Sequence, residues 1–138
     1  MKSKLSGLAF AAALLSSAAP SSAQSPIRIG EVNSYKAQAA FLEPYRRGME
    51  LAVEEVNAAG GVGGRKIEVV MRDDNANPGD AVRMAEELVS AEKVDMIAGG
   101  FLSNIGLALA DFAKQRKVVY LASEPLTNKI VWEGGNRY

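Results

Sequence analysis

The sequence predicts an α/β fold: an open parallel sheet with helices on both faces. Three observations carry that expectation. Short apolar runs at residues 27–32, 66–72, 94–98 and 118–122 alternate with longer stretches of helical periodicity. Alternation of this kind, βαβαβαβ, builds parallel sheets. The runs are rich in Val and Ile, as strands covered on both faces must be, and Gly and Pro fall at the joints between elements.

The first run, Ile27-Arg28-Ile29-Gly30-Glu31-Val32, alternates and then loosens, which suits an opening strand. Residues 33–42 read as a loop, starting with the turn-prone Asn33-Ser34-Tyr35. The first helix is expected over residues 43–58, with Pro44 in its first turn, where a missing N–H costs nothing. Tyr45, Met49, Ala52, Val53 and Val56 form one apolar stripe at helical period. Gly60 and Gly61 end it, because Gly tolerates a left-handed cap.

The second strand is followed by Asn77-Pro78, a cap and a first-turn proline for a helix whose buried stripe is Ala81, Ala85, Leu88 and Val89. After the third strand comes the turn Gly99-Gly100-Phe101-Leu102-Ser103-Asn104. A third helix over residues 104–116 then turns Ile105, Leu109, Phe112 and Ala113 inward. The fourth strand leads to a mixed tail in which residues 126–132 suit a short helix.

The amino terminus reads as an address. Lys2 and Lys4 precede an apolar, Ala-rich run over residues 5–15, and Ser21-Ser22-Ala23 supplies small residues for cleavage after Ala23. That is the pattern of a secretory signal peptide over residues 1–23. The apolar run is shorter than the roughly 20 residues that span a bilayer. With no cysteine in the chain, a Cys-linked lipid anchor and a disulfide framework are both excluded. Formal charge is zero, and loss of Lys2 and Lys4 leaves 14 basic against 16 acidic residues, a net charge of −2. Neither value makes the basic footprint that nucleic acid requires.

Ligands of an open parallel sheet bind outside the carboxyl ends of its strands. Those ends carry the loops 33–42, 99–104 and 123–127, with 73–77 beside them. The 99–104 loop is the strongest candidate. Its glycines let a ligand approach the backbone, and Ser103 or Asn104 can cap the third helix. The free N–H groups of a helix start would hold a carboxylate. A plain cap beside a tight turn accounts for the same residues. Tyr35 and Phe41 in the first loop suit either a pocket wall or packing of the loop on itself.

Other chemistries fit poorly. Asp73, Asn75 and Asn77 match the opening of a calcium loop, but Pro78 stands where Gly is needed and Met84 where the bidentate Glu is needed; no metal site is expected. Gly60-Gly61-Val62-Gly63-Gly64 follows a helix and precedes a strand, the reverse of a dinucleotide turn, and lacks the Lys-Ser/Thr ending of a phosphate loop. The chain has no His and no Cys, which removes Ser-His triads, Cys nucleophiles and His-bearing zinc sites. No catalytic residue and no cofactor is expected, and the chain does not read as an enzyme.

The order of pieces from Glu43 to Asn75, an amphipathic helix, the Asn-x-x-Gly-Gly turn at Asn57, an apolar strand and the cluster Asp73-Asp74-Asn75, resembles the amino-terminal lobe of ABC-transporter solute-binding proteins of the leucine/isoleucine/valine-binding type. The resemblance covers nearly all of residues 27–138. It implies a type I periplasmic binding fold, present as an incomplete first lobe at residues 24–138 with the second lobe absent. It implies a periplasmic protein that closes two lobes around an amino acid or a similar small organic acid or amide and delivers it to ABC permease subunits in the membrane. In that family a Ser after the third strand binds the ligand carboxylate, and Ser103 takes that place, with Phe101 and Asn104 beside it. Residues after the fourth strand hold the ligand's main-chain groups; Ser123 and Glu124 stand there. Glu124-Pro125-Leu126-Thr127 departs from the small residues usual in amino-acid binders, so the ligand need not be Leu, Ile or Val. Glu124 either meets a positive group in the cleft or lies in solvent. Two other classes share the lobe: a ligand-sensing domain of a receptor, and an enzyme on a doubly wound sheet whose catalytic groups lie beyond Tyr138.

Overall fold

A computed structural model describes residues 24–134. The expected signal peptide lies outside the described residues. Eight elements follow in order: β1 (Ile27–Asn33), α1 (Ala39–Ala58), β2 (Ile67–Asp73), α2 (Pro78–Ser90), β3 (Met96–Gly99), α3 (Ser103–Arg116), β4 (Val119–Ala122) and α4 (Lys129–Trp132). The four strands form one parallel sheet in the order β2-β1-β3-β4. Fold class and element order therefore agree with the expectation from sequence.

The core lies on one face of the sheet. Leu88 of α2 and Ile105 and Leu109 of α3 are fully buried against Val32 and Ile97, with Ala81, Ala85 and Ala113 where the helices come close. Burying each large aliphatic side chain contributes about 1.5–3 kcal/mol. The small alanines let α2 and α3 lie against each other, and Val70 of β2 packs on the same core. Asn77 caps α2 as its spacing suggests: its Oδ1 accepts from the N–H groups of Gly79 at 2.8 Å and Asp80 at 3.1 Å.

The other face carries α1, and far more loosely. Met49 and Val53 stand over Val69 and Met71 with a gap of about 310 Å³ between them. Of the expected stripe, Tyr45, Met49, Val53 and Val56 are half-buried and Ala52 is exposed; the one fully buried residue of α1 is Leu42. Helices therefore lie on both faces, but only one face is fully packed.

The start of α1 differs from expectation. It begins at Ala39, so Pro44 sits inside the helix, not in its first turn. The Gln38 N–H donates to the Ser34 carbonyl at 2.8 Å, and Leu42 N–H to the Gln38 carbonyl at 2.9 Å. This early turn drives Leu42 into the interior. Ala39 and Ala40 favour it intrinsically, and burial of Leu42 outweighs the hydrogen bond that Pro44 cannot make.

Candidate functional site

The site follows from strand order. The chain leaves β1 sideways to β2, then crosses back to place β3 on the other side of β1. The crevice where order reverses, between β1 and β3, is where such sheets bind ligands. The loops after β1, β3 and β4 meet above it.

Asn33, the last residue of β1, ties this edge together. Its Nδ2 donates to Glu31 Oε1 at 2.5 Å, and its Oδ1 accepts from the Phe101 N–H at 2.7 Å. The Tyr35 hydroxyl donates to Glu31 Oε2. The Tyr120 hydroxyl donates to the Gly99 carbonyl at 2.9 Å. Gly99 itself has φ of +103°, and a Cβ there would lie 2.4 Å from the Val32 carbonyl oxygen and 2.9 Å from Glu31 Oε1. Strand β3 therefore ends in glycine because both the backbone angle and the neighbouring Glu31 require it.

Glu31 is a fully buried carboxyl group at a position where parallel strands are normally apolar. Burial pushes its pKa up to about 7; the hydrogen bonds from Tyr35 and Asn33 pull downward, while the charges of Glu124 and Asp74 push further up. Burial likewise raises Tyr45 to about 12, with Ser123 pulling against it, and raises Tyr35 and Tyr120 well beyond the range in which they ionise. Asp74 is fully buried at the end of β2, where it accepts from Ser34 Oγ at 2.6 Å and from the Ala76 N–H at 2.8 Å. Its pKa is raised, first by burial.

Between the loops that follow β3 and β4 lies a cavity of about 390 Å³ lined by Phe101, Leu102, Ser103, Glu124 and Leu126. That is within the usual range for a small-molecule pocket, about 300–1,000 Å³. The Phe41 and Phe101 rings stack at 5.7 Å between centroids and form an aromatic wall. Leu126 is 97% exposed at the rim. The β4 loop is held against α3 by close packing: a Cβ added at Gly106 would lie 2.5 Å from Pro125 Cγ.

The sequence candidates divide. Phe101, Ser103 and Glu124 come together in the cavity wall. Asn104 is exposed on α3, Ser123 is exposed beside Tyr45, and Tyr35 is turned down onto Glu31. The expected capping of α3 by Ser103 or Asn104 does not occur. The cap position is Leu102, and no side chain bonds the helix start. The Gly99–Leu102 backbone enters the helix directly, which puts Ser103 one residue too late to cap. The Ser103 hydroxyl makes no hydrogen bond among the described residues, and it sits at an uncapped helix start that favours negative charge.

Glu124 is half-buried, not solvated. Its Oε2 is enclosed and has no hydrogen-bond partner among the described residues. Burial raises its pKa, with Asn33 pulling the other way. Sequence reasoning missed Glu31, Asn33 and Tyr45 as members of the site. The signal was the loss of alternation at Glu31, an acid inside an apolar strand.

The cation-binding pattern suggested by residues 73–77 resolves into turn chemistry. Asp73 Oδ1 accepts from the Asn75 N–H at 2.8 Å and its Oδ2 from the Lys36 N–H at 2.9 Å. Asn77 is the α2 cap.

Residues 26–137 match the family of periplasmic binding proteins. A Leu/Ile/Val-binding protein homologue of Brucella suis is 37% identical over 124 residues, covering 89% of this chain. The chain spans 30% of the length of that relative. Among solved structures, a branched-chain amino acid transporter substrate-binding protein from Streptococcus pneumoniae, in complex with isoleucine, superposes with a TM-score of 0.70 at 29% identity, over 76% of this chain and 30% of its own. An ABC-transporter solute-binding protein from Rhodopseudomonas palustris, in complex with 3,4-dihydroxybenzoic acid, gives a TM-score of 0.69 at 30% identity, over 77% of this chain and 29% of its own.

Proposed function

Because the chain belongs to the periplasmic binding protein family, we propose that residues 24–138 form the first of two lobes of a solute-binding component of an ABC uptake system. The first 23 residues direct its export to the periplasm. The lobe offers one wall of a cleft; a second lobe closes over the solute by hinge motion, and the closed form is presented to permease subunits. No bond in the solute is made or broken.

The observation that carries this reading is the cavity between the loops that follow β3 and β4 at the carboxyl end of the sheet. Its lining is mostly apolar, with Ser103 at an uncapped helix start and Glu124 as the polar members. A mostly apolar concavity with a few polar groups is the form of a binding site for a small organic molecule. Ser103 and the first N–H groups of α3 suit a carboxylate or carbonyl oxygen. The catalytic pairing of a nucleophile with a base is not what these residues make: Ser103 contacts no base among the described residues, and the two glutamates are held by neutral donors or by none. Solved relatives bind isoleucine in one case and 3,4-dihydroxybenzoic acid in another, and both are small acids of the size this cavity accommodates.

The test is a ligand screen on the natural exported protein that carries this chain. Thermal unfolding is followed with a panel of amino acids, amides and aromatic acids, and each hit is recovered and identified by mass. The reading expects a saturable rise in Tm and a ligand returned unchanged. A panel that raises Tm with nothing, or a hit that is consumed, would overturn it.

A further inference from the structure

We propose that the charge on Glu31, linked to the cavity wall through Asn33, sets the affinity of the cleft, so that a solute bearing an acid group takes up a proton as it binds. The inference rests on the solute-binding reading and adds a control to the same site.

Glu31 is fully buried in β1, and only neutral donors reach it: Asn33 Nδ2 at 2.5 Å and the Tyr35 hydroxyl. The Asn33 amide carries the connection onward. Its Oδ1 accepts from the Phe101 N–H at 2.7 Å, and Phe101, Leu102 and Ser103 follow one another in the cavity lining. A single side-chain amide therefore separates the carboxyl group from the cavity wall. The turn also packs directly on the carboxyl: a Cβ at Gly99 would lie 2.9 Å from Glu31 Oε1.

The groups that face Glu31 leave its charge unbalanced. The loop after β1 brings Tyr35, α1 brings Tyr45, the end of β2 brings Asp74, β4 brings Tyr120 and the loop after β4 brings Glu124. Strand β3 brings Gly99, without charge. Burial keeps the three tyrosines neutral near pH 7. Among the described residues Glu31, Asp74 and Glu124 make no ion pair with Lys or Arg. Burial pushes Glu31 up to about 7, so a small change of charge in the cleft tips it between its two forms.

An acid group held at Ser103 and the start of α3 brings such a change. It lies two residues along the chain from Phe101, which makes it the ligand charge nearest to the Asn33 bridge. Its repulsion, in surroundings of low dielectric, favours the proton on Glu31. By reciprocity the protonated form holds the acid more tightly than the ionised form does. Glu31 is a positioning residue in this account. It does not touch the solute, and it acts through Asn33 and through its field.

The experiment uses the natural exported protein and three probes: isocaproate, para-hydroxybenzoate and isoleucine. Calorimetry gives their affinities between about pH 6 and about pH 8, where the acid group of each probe stays ionised. At neutral pH the heats in phosphate and in imidazole, buffers of different ionisation enthalpy, count the protons exchanged. Wild type, Glu31→Gln and Glu124→Gln are compared.

The proposal expects every probe that binds the wild type to take up a fraction of a proton and to lose about threefold to tenfold in affinity across that range, the scale of one charge acting at moderate distance. E31Q should abolish both the uptake and the pH dependence while still binding the probe. E124Q should keep the uptake but move its midpoint to lower pH, since the Glu124 charge is one of those that push Glu31 upward. Wild-type binding without proton uptake overturns the proposal and leaves the binding-protein reading standing. So does an uptake that E31Q leaves intact. If E31Q does not fold, E124Q decides: an uptake lost there, or left with its midpoint unmoved, overturns the proposal. Binding of none of the three probes to the wild type overturns both the inference and the reading beneath it.

Discussion

Asn33 and Phe101 lie 68 positions apart in the chain and are joined by one hydrogen bond, from the Phe101 N–H to Asn33 Oδ1 at 2.7 Å. The same Asn33 side chain donates to Glu31 at 2.5 Å. One amide thus fixes the turn after β3 to the end of β1 and satisfies a buried acid. Asn33→Ala leaves both the Glu31 oxygen and the Phe101 N–H unpaired in the interior. The expected cost is about 2–4 kcal/mol, two buried groups at the usual penalty. Asn33→Asp should cost more, since it removes the donor and adds a third acid beside Glu31 and Glu124. Urea unfolding of the natural protein measures both, and equal midpoints for wild type and N33A would contradict the role given to Asn33.

Glu31 predicts a pH dependence of stability. Its pKa in the fold is about 7, above its value of 4.5 in the open chain. The folded state therefore binds more protons between those values, and stability falls as pH rises through that window. Stability from this group is full below about 4.5 and lost above about 7. The size is up to about 3 kcal/mol at 1.36 kcal/mol per pH unit. Glu31→Gln should flatten the slope and raise Tm above pH 7. The amide can still accept from Asn33 through its oxygen and can donate to the Tyr35 hydroxyl. A slope between pH 4.5 and 7 that E31Q leaves intact would assign it to other groups.

Much of this lobe was legible in sequence because apolar runs and helical stripes report burial directly. The four strands and the α2 and α3 stripes fell where the periodicity put them: Ala81, Ala85, Leu88, Ile105 and Leu109 all face the core. The start of α1 did not, because Pro44 looked like a first-turn residue while the tertiary burial of Leu42 set the real start at Ala39. At the site, Ser103 and Glu124 were visible as residues after strand ends. Their relation to Glu31 was not, since a contact between β1 and the β4 loop leaves no local pattern. The Glu31 position carried a local contradiction, an acid in an apolar strand, and such contradictions mark functional or strained sites.

Gly99 offers a test of the backbone at the crevice. At φ of +103° it occupies a region that L residues rarely enter, and a Cβ would meet the Val32 carbonyl at 2.4 Å. Gly99→Ala should destabilise by about 1–3 kcal/mol from backbone strain, with extra cost from the contact. It should also displace Phe101 and so weaken ligand binding. Retained stability together with full affinity would mean that the turn has another low-energy path.

Ser103 can be tested independently of Glu124. Ser103→Ala removes a hydroxyl that no neighbour uses and caps nothing, so the fold should lose less than about 0.5 kcal/mol, as at ordinary surface sites. Binding of a carboxylate-bearing ligand should weaken about tenfold to a hundredfold, the worth of one hydrogen bond to a charged group. Unchanged affinity for every acid in the panel would remove Ser103 from the anion site.

The free edge and thin face of the sheet predict how residues 24–138 behave when produced alone. On β4, Val119 and Leu121 are 53% and 55% exposed, and Trp132 in α4 is 81% exposed. Strand β4 pairs on one side only, with β3. Its other side presents unpaired N–H and C=O groups beside apolar side chains, a template for pairing with another chain. The isolated segment should self-associate at micromolar concentration and, on the two-lobed reading proposed above, bind no solute tightly. Val119→Lys and Leu121→Lys place charge on that edge and should restore monomers without restoring binding. Sedimentation and calorimetry check both halves. A soluble wild-type monomer with an affinity better than about 1 μM, roughly −8 kcal/mol, would show that one lobe suffices and that closure by a second is not needed for recognition.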